Sequence, residues 1–301
     1  MRKWICLFAV GLVIHCAIAQ SRAQDADATR HLWDTATSAP PSDAAPARKK
    51  PVKRLYRIAT PAVPVTGVAP GTVIGVTLWR LRPIRPADRG ERLITHEGPE
   101  STEWLPERVA SGTRLAEGDR FRVSIEAARD GYLYVIDREE YADGSLGEPV
   151  LIFPTTRTRG GDNQVSAGRV VEIPGQDDAP PFFTLRKSRP DHVAESVTII
   201  VSPAPLEGLN ITDKQQRLSE KQVAAWQKQW GGQDGHLEME DGAGRQWTRA
   251  EKDAGLDGTR SLGKADPVPQ AIYYRPGVGS AEPVLVQVQL KYAQAGRRQK
   301  R

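Results

Sequence analysis

Three groups of side chains in this sequence have residue types that could do chemistry. In HLEMED, His236, Glu238 and Glu240 alternate, so on a strand they would share one face and could present a zinc or harder-metal ligand set. Asp191-His192, close to Ser188 and Ser196, contains the parts of a nucleophilic triad, but triads are defined by geometry and no spacing supports this one. Asp137, Glu139, Glu140, Asp143 and Glu148 cluster the carboxyl oxygens that calcium takes, without the spacing of a known calcium loop. A fourth motif, ADGSLGE, comes near a nucleophile elbow at Ser145. Asp143 stands where the first glycine belongs, and no strand-to-helix context surrounds it. The three other than the triad have plain structural readings: a solvated face beside the helices, a soluble turn and a hairpin turn. We adopt those readings, and expect no catalytic residue, no metal ligand and no cofactor. Gly277 in GVGSAE lacks the third glycine of a dinucleotide loop and precedes a strand, and no phosphate-cradling G-x-x-x-x-G-K stretch occurs.

Aromatic residues are the next candidates. Tyr132, Tyr134, Phe153, Phe182 and Phe183 fall at strand spacing and are expected in the core. Trp104, Tyr141 and Trp247 fall in loops or at helix starts, and together could form a sugar-stacking platform. Trp247 precedes a capping threonine, which suits a packing role instead.

The chain ends bear on where the protein works. Arg2 and Lys3, the apolar run Trp4 to Ile14 and the small residues Ala17-Ile18-Ala19 form a secretory signal over 1–19. Export with cleavage near Ala19 implies a periplasmic or extracellular protein that is soluble once processed. Lipid attachment at Cys16 is disfavoured by His15 before it. Both cysteines, Cys6 and Cys16, lie in the signal, so the mature chain is expected to have neither disulfide nor thiolate. The net charge of +5 is unevenly spread. Arg48, Lys49, Lys50, Lys53, Arg54 and Arg57 form one basic tract and RRQKR forms the terminus, leaving an acidic body between them. Outside the cytoplasm the tract's anionic counterpart would be a membrane or envelope surface, with contact weak, and not nucleic acid.

Residues 20–70 are rich in Ala, Pro, Asp and Ser and read as a flexible basic tether. A β-sandwich is expected over 71–210, a helical insertion over 211–265, final strands completing the sandwich over 266–293 and a basic tail over 294–301. FRVSIEAA alternates Phe121, Val123, Ile125 and Ala127 against Arg122, Ser124 and Glu126, a half-buried strand. Arg129-Asp130-Gly131 reads as a hairpin turn into YLYVID, which is apolar on both faces and therefore covered on both. Strands follow at PVLIFP, GRVVEIP, FFTLR, SVTIIVSP and PVLVQVQLKY. Roughly seven strands with Pro, Gly and Asp punctuation describe an all-β, immunoglobulin-like antiparallel sandwich. In the insertion, Ser219 with Gln222 and Thr248 with Glu251 are capping boxes, and Gly231 ends the first helix. Its stripe of Val223, Trp226 and Trp230 is expected to cover the Tyr132/Tyr134 face.

Together GDRFRVSIEAARDGYLYVIDRE, LIFPT, NQVSAGRVVEIP and the strand ending VSPAPL resemble the bacterial family designated domain of unknown function 4384, over roughly 71–206. The GDxxxxxxxxxxDGYLYV pattern and the LIFP strand carry the resemblance, and the helical insertion and last strand look like an extension found in exported members. The resemblance implies a sandwich accessory module, found elsewhere beside peptidase-like or kinase domains, and transfers no catalytic residue. The expected function is therefore a non-catalytic binding or accessory module of the cell envelope whose partner is an envelope protein or glycan. The alternatives are an envelope hydrolase or metal-dependent enzyme and a carbohydrate-binding module.

Overall fold

The computed structural model describes residues 56–59, 68–97, 100–257, 262, 266–279 and 281–293. Its fold is the expected all-β sandwich, with helix before the last strands. The first sheet is built on β2 (Val73–Pro83). One edge of β2 pairs with β6 (Arg120–Ala127) from Ile74 to Leu81. The other edge is shared by β15 (Ala271–Tyr274) and β4 (Glu100–Val109). Beyond β15 lie β14 (Gly235–Met239) and β1 (Tyr56–Ile58), and beyond β4 lies β3 (Leu93–Glu97). The outer edge of β6 carries β10 (Val170–Ile173) and β11 (Phe183–Thr184).

The second sheet is built on β7 (Gly131–Tyr141) and β12 (His192–Ser202), paired antiparallel along almost their whole length. β8 (Val150–Phe153) and β9 (Gln164–Val165) share the far edge of β7, and β13 (Gln216–Arg217) adds to β8. β16 (Val284–Tyr292) flanks β12 and carries β5 (Arg114–Leu115), the one parallel neighbour among these pairs. The sandwich core fills between the sheets, with Ile74, Val76 and Ile125 from the first meeting Leu133, Val135, Ile199 and Val286 from the second. Each such fully buried side chain contributes about 1.5–3 kcal/mol, and these contacts hold a sheet pair that has no disulfide among its described residues.

Several expectations change here. β6 and β7 are not a hairpin: β6 pairs only within the first sheet and β7 only within the second, so residues 128–130 cross from sheet to sheet. Gly131 is needed for close approach rather than for positive φ, because a Cβ there would stand 2.5 Å from the Ser202 carbonyl oxygen. The polar side of β6 is buried as well, with Arg122 fully enclosed and Ser124 and Glu126 nearly so. Tyr56–Ile58, expected in the tether, form a strand against β14, with Tyr56 buried and its hydroxyl donating to the Pro269 carbonyl. Of the basic tract only Arg57 falls among the described residues, where it is exposed; Arg48, Lys49, Lys50, Lys53 and Arg54 lie outside them. The signal over 1–19 and the tail over 294–301 also lie outside.

The two helices pack on different sheets of the sandwich. α1 (Glu220–Trp230) is capped by Ser219, whose Oγ accepts the Gln222 amide at 3.1 Å. The Gln222 side chain does not return to close the box and donates to the Glu207 carbonyl instead. Gly231 has φ −76°, so it is no left-handed cap; it is required because a Cβ would collide with the Gln227 carbonyl. Val223, with Trp226 and Trp230 partly buried, packs on Tyr134, Ile136 and Ile200, the outer face of the second sheet, as expected. α2 (Arg249–Asp257) has the complete capping box, the Thr248 amide and hydroxyl both donating to Glu251 and the Glu251 amide to Thr248 Oγ1. It covers the first sheet, where Ala254 meets Val170.

Candidate functional site

Strand alternation explains how the site arises. Along β7 the inward positions run Leu133, Val135, Asp137, Glu139 and Tyr141, so the core face changes from apolar to acidic within one strand. Along β12 the inward residues Val201, Ile199 and Val197 give way to Glu195, and a register shift between Ala194 and His192 turns His192 inside. Carboxylates cannot fill a sandwich core, and here the sheets enclose a cavity of about 480 Å³. Its walls are mostly apolar, from Phe121, Val123 and Ile125 on one side to Val135, Ile152 and Val197 on the other. Asp137, Glu139 and Glu195 line the same space, with Glu148, Arg186 and Arg217 also on its wall. A neighbouring cavity of about 450 Å³ shares Ile152, Phe183 and Gln215 with it.

Around the acids the hydrogen bonds are uneven. Tyr292 donates its hydroxyl to Glu195 Oε1 at 2.8 Å, and His192 Nε2 lies 3.3 Å from the same oxygen. Glu139 accepts from the Tyr141 hydroxyl and from Ser188 Oγ at 2.7 Å. Glu195 Oε2 and Asp137 Oδ1 are sealed from solvent and have no hydrogen-bond partner. Burial, with repulsion from Glu195, pushes Asp137 up to about 8. Burial pushes Glu195 up to about 7, with Glu139 adding to the rise and Tyr292 opposing it. Burial would raise Glu139 too, but the Tyr141 and Ser188 hydrogen bonds outweigh it and hold that carboxyl below its usual range.

The groups singled out in the sequence are not assembled as enzymes would need them. Asp191 is engaged by Arg189 at 2.7 Å and is exposed, so it does not orient His192. His192 is buried, its Nε2 directed at the Ala194 carbonyl at 3.0 Å and its Nδ1 accepting the Ser188 amide. Ser145 sits in the β7–β8 turn and donates to Asp143 at 2.6 Å. Asp137 and Glu139 enter the cleft, Glu140 pairs with Gln289, and Glu148 pairs with the exposed Arg217 at 2.7 Å. His236 stacks on Tyr273 with centroids 5.1 Å apart, and burial lowers its basicity. Glu238 is buried and accepts from Ser111 and Gln270, both at 2.6 Å. Among the described residues no group of three or more His, Cys, Asp and Glu side chains is placed to hold a metal ion.

Nor do the three aromatics form one platform. Trp247 is 1% exposed and stacks on Trp79 with centroids 5.8 Å apart. Arg120 lies over Trp104 at 4.4 Å, and Arg189 over Tyr141 at 3.5 Å. The Trp79–Trp247 pair belongs to a buried charged layer between the first sheet and α2. There Arg122 bonds Glu172 at 2.6 Å, and Arg108 bonds Glu251.

Residues 114–205 match the family described as Domain of unknown function (DUF4384). This stretch is a DUF4384 domain. No curated protein matches the chain, and no solved structure does. The DUF4384 domain begins later than the expected 71 and spans β5 to β12, so it contributes Asp137, Glu139, His192 and Glu195. The domain's sheets are completed from outside it, by β2 and β15 in one and β16 in the other. Sequence reading missed the cleft because it ended YLYVID at Asp137 and began the later strand at Ser196. The available signal was the continued alternation of Asp137, Glu139 and Tyr141 in phase with Leu133 and Val135.

Proposed function

We propose that this protein is an exported binding or accessory module of the cell envelope, and that its ligand enters the cleft between the sheets of the DUF4384 domain. The observation that carries this reading is the cavity of about 480 Å³, a size suited to a small molecule or one protruding group of a partner. Apolar walls with a few convergent polar groups are the usual composition of ligand sites. Ser145 and Ser188 both donate to carboxylates rather than to a histidine, which favours binding over nucleophilic catalysis. Placement in the envelope rests on the signal and tether features of the sequence, with a partner that is an envelope protein or glycan.

The test uses Nile red, a neutral apolar dye. Folded protein should bind it saturably at one site, and Ile152→Trp, which fills the cleft from a partly buried position, should abolish binding without lowering the melting temperature sharply. Equal dye binding by this variant would remove the cleft from the reading.

A hydrolytic reading would use the same pair, Asp137 and Glu195, since two carboxyls with raised affinity for protons can divide acid and base roles. One oxygen of each carboxyl has no hydrogen-bond partner, which speaks against it, because a catalytic carboxyl is normally held by hydrogen bonds on both sides.

A further inference from the structure

We propose that the cleft selects an apolar group carrying a protonated amine or guanidinium, with the cation seated between Asp137 and Glu195. This rests on the cleft being the binding site.

The argument begins from unmet hydrogen-bond capacity. Glu195 is only 9% exposed, yet its Oε2 accepts nothing; Asp137 Oδ1, on the adjacent strand, is equally without a donor. The pairing places Val197 opposite Asp137 and Glu195 opposite Glu139, so the two acids are diagonal neighbours on one face. Diagonal neighbours of this kind stand about 7–8 Å apart at the backbone, close enough for one cation to reach both side chains. Buried acceptors in native proteins are nearly always satisfied, and what is missing here is specifically a donor.

Charge narrows the class further. Among the described residues no Lys or Arg forms a salt bridge with Asp137 or Glu195; the His192 ring and the Tyr292 hydroxyl are the ionisable groups beside Glu195. Arg217 is drawn to Glu148, and Arg138 to the Gly147 carbonyl and Glu220. An anion would meet Asp137, Glu139 and Glu195 together. A neutral alcohol could satisfy one oxygen, whereas an ammonium or guanidinium can donate to both carboxyls and neutralise their repulsion. The hydrocarbon part then lies against Val135, Ile152 and Val197.

The groups facing the acids from the surrounding strands are Glu139 and Tyr141 of β7, His192 of β12 and Tyr292 of β16. Arg186, Glu148 and Arg217 complete the charged lining. Asp137 lies near 8 and Glu195 near 7, so close to neutrality the empty pair retains a proton. An incoming cation favours both ionised forms and expels that proton. Affinity should therefore rise with pH through this range while the ligand amine, with a pKa of about 10.4, stays charged.

Titration calorimetry of the folded protein with n-hexylamine, 1-hexanol and hexanoate tests this. Hexylamine should bind about 10- to 100-fold tighter than hexanol, the usual gain for hydrogen bonds to charged groups. Hexanoate should bind more weakly than either. At pH 7 the heat should change with the buffer's ionisation enthalpy, as proton release requires. Asp137→Asn should erase the preference for hexylamine over hexanol, with Glu195→Gln as the second variant should the first fail to fold. Acetyl-Lys-amide and acetyl-Arg-amide serve as further ligands: binding as tight as hexylamine would make a partner's side chain the source of the cation, and weaker binding a free amine. Equal affinity for hexylamine and hexanol would overturn the proposal even with Nile red still bound; loss of Nile red binding as well would instead remove the cleft itself.

Discussion

Tyr292 on β16 donates to one oxygen of Glu195 on β12 and leaves the other oxygen buried without a partner. The tyrosine thus holds the carboxyl inside the sandwich, and burial together with the anionic neighbour raises the tyrosine's own pKa far above its usual value. Stability has a corresponding pH dependence. Asp137 lies at about 8 and Glu195 at about 7, while both ionise near 4 in the unfolded chain. Between those values the native state binds more protons than the unfolded state, so stability falls as pH rises from about 4 to about 8 and then levels. Buried Glu126, at about 8, adds to the same window. Urea unfolding from pH 5 to 9 should show this decline, and Asp137→Asn should flatten it and stabilise the protein at pH 9 by on the order of 1–3 kcal/mol. An Asp137→Asn profile parallel to the parent would count against the buried, charge-resisting carboxyl.

The Trp79–Trp247 stack ties the insertion to the first sheet. Trp247→Ala should cost about 3–5 kcal/mol, the usual loss for a fully buried aromatic. Glu172→Ala, which strands Arg122 without its 2.6 Å partner, should cost a similar amount. Both are measured by denaturant midpoint. Unfolding of α2 alone, with the sandwich melting unchanged, would mean the charged layer is not part of the cooperative core.

Gly131→Ala should destabilise by about 1–3 kcal/mol, because the new methyl meets the Ser202 backbone at 2.5 Å and must push β7 from β12. Gly112→Ala is the matched control: nothing lies within 4 Å of a Cβ there, and its melting temperature should stay near that of the parent. A neutral Gly131→Ala would show that the β7–β12 entry is looser than the close approach implies.

We propose that the chain is exported and that its basic tract then gives it a weak, salt-sensitive hold on anionic envelope surfaces. Near such a membrane each cation contributes about 1 kcal/mol, and at physiological ionic strength the attraction reaches only about 8 Å. Co-sedimentation with anionic vesicles should fall as salt rises, and should be lost when Arg48, Lys49, Lys50, Lys53, Arg54 and Arg57 are neutralised. Equal sedimentation by the neutralised chain would reduce the tract to a spacer.

Local patterning was enough to foresee the sandwich, the packing of α1 and the DUF4384 resemblance. Alternation in FRVSIEAA and VLVQVQLKY, the Ser219 and Thr248 caps and the Val223–Trp226–Trp230 stripe each operate over a few residues, where side-chain period and hydrogen-bond reach dictate the outcome. Sheet assignment was not local. Phe121 and Leu133 both have strong inward faces, and nothing between them says whether they pair edge to edge or pack face to face; the long-range pairing of β6 with β2 and of β7 with β12 settles it. The same pairing buries Arg122, which alternation alone placed on the polar side of a half-buried strand. It also carries β7 and β12 past their apolar stretches, so that Asp137, read as one acid of a soluble turn, and Glu195, just before the strand read from Ser196, line a cleft. A strand's length is decided by its neighbours' hydrogen bonds as much as by its own hydrophobicity, and only the tertiary structure contains those neighbours.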